Sequence, residues 1–469
     1  MPLPDKHKFK AIIVGGSVAG LTLAHAFSHA NIDYVLLEAR DTISPQIGAS
    51  IVIMPNGARI LDQMGLYDEL RREIMTPMTR SFLRQEDDGR LVSSNEWPRM
   101  VEERLGYTCG ISERMLFLRS MYGQLKDKSK VRLSKKVVSI QHGSDSVTVK
   151  CEDGSEFTGD VVIGADGIHS RTRTEMQRYA RETGPPGLMD KDENCITAEY
   201  TCIFGISRPI PTLHPGDNHV SSSIDHSGLM FITSDRLPQW FFISKMPSKT
   251  IGSSIPRFTG PQMRAEVQKF ADFKFTDTVT FGDLTERAEK MSWFALEEAN
   301  HEVWTYGRVV CLGDAIHKMT PNLGQGGNQA IESAAVLTNC LVEMLDGQEG
   351  NVDLGELQGA LRKYQDLRQR RAEKFIRLSG MITRNEALET LRHVLRFLYF
   401  EPLSGEMLAD IQTEMYHTAP YLNFLPLPSK TRDNELWIEG MKRVKARKDV
   451  PLPKYALPGI LFQTQLTAC

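Results

Sequence analysis

Residues 309–332 read VVCLGDAIHKMTPNLGQGGNQAIE, and this stretch decides the fold. An apolar run over 309–312 predicts a buried strand that delivers the carboxylate of Asp314. A proline and a glycine-rich turn follow, and we expect a helix to begin near Asn328. This order of strand, acid, turn and helix predicts a carboxylate beside a helix N-terminus, whose unpaired N–H groups stabilise negative charge.

A second signal lies near the start of the sequence. A predicted buried strand over 10–14 runs into Gly15 and, after a short turn, into Gly20 and an apolar helix. The next predicted strand ends at Glu38. This is the βαβ pattern of dinucleotide sites, in which a pyrophosphate lies on the helix N-terminus and the acid accepts hydrogen bonds from the adenosine ribose. A carboxylate at this position indicates FAD or NAD rather than NADP.

The third signal is an apolar strand over 161–164 that ends in the turn Asp166-Gly167. Taken alone, an Asp-Gly turn after a strand is common.

A reduced flavin carries its negative charge at the edge of its pyrimidine ring, and a helix N-terminus stabilises such a charge. The glycine-rich turn after Asp314 therefore suits a flavin better than a site for phosphate alone.

Together, the three motifs resemble those of the single-component FAD-dependent monooxygenases of the para-hydroxybenzoate hydroxylase class. Within that class, the sequence is similar to the fungal epoxidases of meroterpenoid and indole-diterpene pathways, the paxilline-type enzymes. The similarity lies in residues 11–23, 36–56, 112–122, 164–173, 199–207 and 309–332.

The resemblance implies an α/β fold, in which a Rossmann-like FAD-binding domain is interleaved with an antiparallel-sheet substrate domain and followed by C-terminal helices. The alternating apolar pattern over 195–300 and the helical periodicity from residue 356 agree with this order. We expect an FAD-binding domain over 1–185, which includes a β-meander near 130–160, a substrate domain over 186–300, a return to the FAD-binding domain over 301–345 and a helical region over 346–469.

The resemblance also implies roles for individual residues. Glu38 would hold the adenosine ribose, Arg114 the FAD phosphate or ribose, and Asp314 the ribityl hydroxyls and the pyrophosphate region. The turn at Asp166 would serve both FAD and the passing NADPH. Val52 stands where the family usually has a glycine close to the flavin, and Gly327 would let the backbone approach the flavin ring. The implied cofactor-binding residues are Gly15, Gly20, Glu38, Val52, Arg114, Asp166, Asp314 and Gly327.

Two further side chains have more than one interpretation. Tyr200 lies on a predicted strand that alternates towards a substrate cavity, where it would be catalytic as a proton donor or would position the substrate. Strands favour tyrosine in any case, so a packed Tyr200 is the alternative. His317 has no second histidine or cysteine at ligand spacing, and we expect no metal site.

Composition excludes several other classes of protein. A net charge of −3 over 469 residues does not indicate a basic surface for binding nucleic acid. The basic cluster at 368–371 is interpreted as a solvated helix face. The seven cysteines are scattered without a C-x-x-C pair, which is typical of a reducing compartment. No apolar run reaches transmembrane length. We expect a cytoplasmic protein, with at most peripheral contact with the endoplasmic reticulum membrane through the short apolar tail at 456–462.

The resemblance implies that NADPH reduces FAD and that O₂ supplies the transferred oxygen atom. The implied acceptor is a terminal alkene of a farnesyl or geranylgeranyl chain, and a separate terpene cyclase would take the epoxide. An aromatic hydroxylase acting on a phenol uses the same oxygen-transfer chemistry and stays open. A flavin halogenase would show a Trp-x-Trp pair, which the five tryptophans do not form. A non-catalytic nucleotide-binding protein would not need all three motifs.

Overall fold

The computed structural model describes residues 9–44, 50–347, 352–401 and 405–445. The α-helices in these ranges are α1 Val18–Ala30, α2 Pro55–Gln63, α3 Tyr67–Glu73, α4 Trp97–Leu105, α5 Arg114–Gly123, α6 Arg171–Thr183, α7 Gly260–Lys269, α8 Phe281–Glu286, α9 Gly326–Leu345, α10 Leu354–Glu386, α11 Leu391–Tyr399, α12 Gly405–His417, α13 Ser429–Arg432 and α14 Glu435–Lys445.

The strands of the same ranges are β1 Lys10–Val14, β2 Asp33–Leu37, β3 Ser50–Ile53, β4 Thr76–Pro77, β5 Arg80–Gln85, β6 Leu91–Asn95, β7 Gly110–Glu113, β8 Val131–Arg132, β9 Val137–His142, β10 Val147–Cys151, β11 Glu156–Gly159, β12 Val161–Gly164, β13 Thr197–Ser207, β14 Asp217–Ser223, β15 His226–Ile232, β16 Pro238–Ile251, β17 Ala288–Asn300, β18 Thr305–Tyr306, β19 Val309–Cys311 and β20 His317–Lys318.

A largely parallel sheet forms the first half of the molecule, with strand order β18-β19-β12-β1-β2-β8. Its central strands are continuous apolar runs because both of their faces are buried. Strand β19 pairs in parallel with β12, although about 145 residues separate them in the chain. The interleaved α/β fold expected from the sequence is therefore confirmed.

The second half is built on an eight-stranded sheet of order β20-β17-β13-β16-β15-β14-β5-β6. One face packs aromatic side chains of β16 against the segment 273–281, and Trp240 there donates a 2.7 Å hydrogen bond to Ser207. The opposite face carries Leu229 and Phe241. Because side chains alternate along a strand, one sheet supplies both a sealed core and a cavity wall.

Two details of this architecture differ from the sequence interpretation. Strands β5 and β6 join the eight-stranded sheet through the parallel pairing of β5 with β14, although they precede the segment in which we expected that sheet. Strand β8 pairs with β2 at the edge of the parallel sheet, so it does not belong to the three-stranded meander of β9, β10 and β11. Both are pairings between distant segments, which local patterns do not encode.

A buried group of charges joins helices α9 and α10. The carboxylate of Glu332 accepts from Arg368 Nη1 at 2.8 Å and from Arg371 Nε at 2.7 Å. Asn56 adds a further hydrogen bond to this carboxylate at 2.7 Å. Burial acts to raise the pKa of Glu332, but Arg371 and Arg368 lower it to about 2. The interpretation of the cluster at 368–371 as a solvated face is wrong for Arg368, which is only 1 % exposed, because its partner lies on another helix.

In the described ranges, the helices are all too short or too polar to cross a membrane. The apolar tail at 456–462 lies outside those ranges. No group of histidine, cysteine and acidic residues in the described part of the chain could hold a metal ion.

We predict that Glu332→Ala lowers the free energy of unfolding by about 3–5 kcal/mol, because it leaves two guanidinium groups buried without a counter-charge. In the wild type, the folded pKa of about 2 lies below the unfolded value. The stabilisation from Glu332 is therefore present above about pH 4.3 and is lost as the pH falls towards 2. Urea unfolding across this pH range measures both effects.

The matched control is Glu343→Ala on the same helix, where an exposed carboxylate pairs with Lys363. Surface pairs of this kind contribute about 0–1 kcal/mol, so the control should unfold close to the wild type. Equal losses in the two variants would contradict the role assigned to Glu332.

Candidate active site

A cavity of about 1210 Å³ lies between the two sheets. One end is formed by the N-terminal residues of α1 and α9, the end of β2 and the turn at Asp166. The other end is formed by the face of the eight-stranded sheet that carries Leu229 and Phe241 and by helices α10, α11 and α12. All three motifs recognised in the sequence therefore meet at one end of a single cavity.

The glycines of the first motif allow α1 to pack against the parallel sheet. Gly15 has φ +105°, a backbone conformation that side chains rarely permit, and a Cβ there would overlap the carbonyl group of Ala165. A Cβ on Gly20 would overlap the carbonyl oxygen of Gly15. This close packing directs the N-terminus of α1 into the cavity, where its free N–H groups favour an anion.

Glu38 lies at the end of β2 and lines the cavity. Its Oε2 accepts from the backbone N–H of Gly16 at 2.8 Å, and its Oε1 accepts from the backbone N–H of Arg40 at 2.9 Å. Each carboxylate oxygen has a further lone pair. The side chain is thus held beside the turn that precedes α1. Its remaining lone pairs can accept a hydrogen bond from a hydroxyl group in the cavity.

Arg114 and Asp314 both line the cavity. Arg114 Nη2 donates to Ser17 Oγ at 2.8 Å, and this contact anchors the guanidinium. Lys318 Nζ lies 2.6 Å from Asp314 Oδ2. Burial acts to raise the pKa of Asp314, but Lys318, with His317 and Arg114, holds it below its usual range. Asp314 therefore stays ionised and can accept from hydroxyl groups.

The turn from Asp314 to α9 supplies the remaining backbone donors. Helix α9 begins at Gly326, two residues before the start expected from the sequence, and a Cβ on Gly326 would meet open space. Gly327 lies against Ile51, whose Cδ1 would be 3.0 Å from an added Cβ. Val52 O accepts from Asn328 Nδ2 at 2.9 Å, which fixes β3 beside this helix N-terminus.

Asp166 closes the same end of the cavity. Its carboxylate accepts from Ser170 Oγ at 2.5 Å and from the backbone N–H of Thr172 at 3.0 Å. Burial raises the pKa of Asp166, and the hydrogen bonds partly offset that effect. Asp166 thus caps the start of α6, and its contacts within the chain are those of a turn-forming residue that also borders the cavity.

The far end of the cavity is mainly apolar. The sheet contributes Leu229, Phe231, Phe241 and Leu296, and the helices contribute a facing set composed of Leu378, Met381, Ile382, Phe397, Leu408, Ile411 and Met415. The hydroxyl of Ser222 and the amide oxygen of Asn218 also border the cavity, and neither has a hydrogen-bond partner in the described residues. Such a wall suits an elongated apolar molecule with few polar atoms.

Tyr200 lies on the cavity-facing side of β13 but does not line the cavity. The side chain is 1 % exposed, the ring packs beside the guanidinium of Arg384, and burial raises the pKa of the hydroxyl. Among the described residues, the hydroxyl has no hydrogen-bond partner. Tyr200 is therefore packed against its neighbours, which is the alternative that the sequence analysis left open.

Several polar residues of the cavity were missed by the sequence analysis. Asn322 lies inside the quoted stretch, between Pro321 and the glycine-rich run, where a polar residue directly after a proline was a usable signal. Lys374, Glu386, His393 and Arg396 lie on α10 and α11 and have no motif around them. Their convergence depends on helix packing, which a sequence pattern does not show.

Comparison with known proteins agrees with this geometry. The FAD binding domain family matches residues 8–379. The FAD-dependent monooxygenase olcE of Penicillium canescens is 38 % identical over 458 residues, which cover 97 % of both chains. The FAD-dependent monooxygenase atmM of Aspergillus flavus is 38 % identical over 94 % of this chain and 91 % of its own. The chain therefore belongs to the FAD-dependent monooxygenases, and FAD is its cofactor.

A solved structure with the same fold is that of a variant of HpxO from Klebsiella pneumoniae, complexed with FAD. It superposes with a TM-score of 0.72 at 22 % identity and covers 88 % of this chain and 99 % of its own.

The residues at the cofactor end fit FAD. Two helix N-termini and Arg114 complement the negative charge of a pyrophosphate and of a reduced flavin. Glu38 and Asp314 offer acceptors for ribose and ribityl hydroxyls, and the open space before Gly326 accepts a flat ring against the backbone.

We predict that Asp314→Ala causes loss of FAD on gel filtration, because the cavity loses the acceptor that stands beside both Lys318 and Arg114. A hydrogen bond to a charged group contributes about 1.5–3 kcal/mol, which corresponds to about 10- to 150-fold in affinity. Asp235→Ala, at an exposed turn, is the control. Full flavin content in Asp314→Ala would contradict the assignment.

Glu38→Ala should weaken FAD binding to a similar degree, because Gly16 and Arg40 lose their acceptor as well as any ribose hydroxyl. Far-ultraviolet circular dichroism should match the wild type, while titration of the apoprotein with FAD should show the weaker affinity. An unchanged dissociation constant would mean that Glu38 does not contact the ribose.

Proposed function

We propose that this protein uses NADPH and O₂ to epoxidise a terminal alkene of a farnesyl or geranylgeranyl chain in fungal secondary metabolism. The observation that carries the proposal is the apolar wall between the eight-stranded sheet and helices α10 to α12. An epoxidase needs a trough for a hydrocarbon chain, whereas a phenol hydroxylase needs a base positioned to deprotonate its substrate. The similarity to monooxygenases from Penicillium and Aspergillus supports the same class.

FAD, when bound, supplies the two-electron chemistry that activates O₂. The side chains of this protein contribute binding, orientation and the exclusion of water. The N-terminus of α9 stabilises negative charge at the cofactor end, since the space before Gly326 is open. Apolar residues such as Phe231 and Met381 keep water away from the reacting atoms.

The dimensions of the cavity are consistent with a large substrate. About 1210 Å³ lies above the usual range of small-molecule sites, about 300–1,000 Å³, and must hold the cofactor ring system together with the substrate. A prenyl chain attached to a ring system would run along the helix wall, with its alkene end towards the N-terminus of α9. We infer that the epoxide is then released to a separate terpene cyclase, as the resemblance to the paxilline-type epoxidases implies.

The predicted behaviour is that a farnesylated aromatic compound accelerates NADPH oxidation and gains one oxygen atom from ¹⁸O₂ on its chain. Mass spectrometry of the product, with fragmentation to separate chain from ring, measures this outcome. NADPH oxidation without the compound, and reactions with NADH, are the controls.

Incorporation of ¹⁸O into a ring carbon would instead establish the aromatic hydroxylase alternative. Absence of any ¹⁸O in the products would remove this substrate class altogether. In both cases, the flavin content of the purified protein checks that the cofactor site is filled.

A further inference from the structure

Glu386 is an ionisable group in the cavity that the chemistry described so far does not use. It is the last residue of α10, and its carboxyl group lines the cavity. Asn322 Nδ2 donates to Glu386 Oε2 at 2.5 Å, and Asn322 Oδ1 accepts from Thr383 Oγ1 at 2.7 Å. Asn322 thus joins Glu386 and Thr383 in one hydrogen-bonded group.

The surroundings of Glu386 favour its neutral form. Burial, reinforced by the charge of Glu401, raises the pKa of Glu386 to about 8, and the hydrogen bond from Asn322 only partly opposes this. The position at a helix C-terminus acts in the same direction, because the last carbonyl groups repel a negative charge. Near neutral pH, the group is therefore a carboxylic acid that can donate a hydrogen bond.

Other charged groups border the same part of the cavity. Arg396 on α11 forms a 3.0 Å ion pair with Glu401, and this pair balances the charge of Arg396. Burial lowers the pKa of His393 on α11 and of Lys374 on α10. Among the described residues, the groups that shift the pKa of Glu386 are Asn322 and Glu401, and neither is a cation.

The location of Glu386 connects the two ends of the cavity. Asn322 belongs to the turn between Asp314 and α9, so Glu386 touches the segment that forms the cofactor end. Its neighbours along α10 on the cavity side are Met381 and Ile382. A hydrogen-bonding acid beside these apolar side chains would set the direction in which a long apolar molecule enters.

We propose that Glu386 is a substrate-binding residue, whose carboxylic acid donates a hydrogen bond to a carbonyl or ether oxygen of an otherwise apolar, prenylated substrate. The identity of the substrate class rests on the proposed function. The role of Glu386 is positional: it holds the oxygen-bearing ring so that the alkene end of the chain reaches the cofactor.

The test uses two probes, a farnesylated acetophenone and farnesylbenzene, which share chain and ring but differ in one carbonyl group. Binding to the oxidised holoenzyme is followed by the change in flavin absorbance, so that no turnover is required. At pH 7 the wild type should bind the ketone about tenfold more tightly than the hydrocarbon, the size expected of one hydrogen bond. Glu386→Leu should bind the two probes equally.

The pH profile separates binding from mere support of the fold. In the wild type, the preference for the ketone should fall as the pH rises through about 8, because the carboxylate form cannot donate. Glu386→Gln keeps a donor that does not titrate, and its preference should be retained and independent of pH. Glu401→Gln should move the wild-type midpoint to lower pH, because it removes the nearby negative charge.

Flavin content and melting temperature show whether each variant is folded. If Glu386→Leu does not fold, a pH-dependent preference in Glu386→Gln that matches the wild type overturns the proposal. A wild type that does not discriminate between the probes, or a Glu386→Leu variant that retains the preference, also overturns it.

The same probes keep the two proposals distinguishable. Loss of the preference in Glu386→Leu without any epoxide in the wild type would reject the reaction and retain the binding role. Epoxidation of both probes with an unchanged preference in Glu386→Leu would do the reverse.

Discussion

The buried carboxylate of Glu332, held by Arg368 and Arg371, is the interaction on which the geometry of the cavity depends. Helix α9 presents its N-terminus to the cofactor end, and α10 carries the apolar substrate wall and Glu386. The ion pairs hold these two helices in one register, with 2.7–2.8 Å between the guanidinium nitrogens and the carboxylate oxygen. A shift of α10 along α9 would separate buried charges, so the distance between cofactor and substrate ends is fixed by electrostatics as well as by packing.

Two carboxyl groups of this cavity show how position decides protonation. Asp314 lies beside Lys318 and the charge of Arg114, which lower its pKa despite burial. Glu386 lies at a helix C-terminus beside apolar side chains and a second acid, and its pKa rises to about 8. The same functional group is therefore an ionised acceptor at one end and a neutral donor at the other, which suits a polar cofactor and an apolar substrate.

Much of the fold could be predicted because local sequence patterns determine it. The β1–α1–β2 unit and the strand before Asp314 both follow from apolar periodicity and from glycine and acid positions. Arg368 could not be placed, since its exposed or buried state depends on a carboxylate 36 residues away on another helix. Glu386 was missed for the same reason: only the packing of α10 against the turn at Asn322 turns an ordinary helix-ending glutamate into a cavity group.

The pairing of β19 with β12 has a consequence for biosynthesis. The parallel sheet lacks this strand, and the cofactor end lacks Asp314, until 300 residues beyond Val14 have been translated, since β1 ends at Val14 and Asp314 follows β19. At about 5–20 residues per second this takes roughly 15 to 60 s on the ribosome. The strands of the eight-stranded sheet up to β17 emerge first, so the nascent chain can pair them before it is able to retain a flavin. Cofactor loading is thus a late event in the synthesis of the chain, because a chain that stops before residue 311 lacks both the complete strand β19 and Asp314.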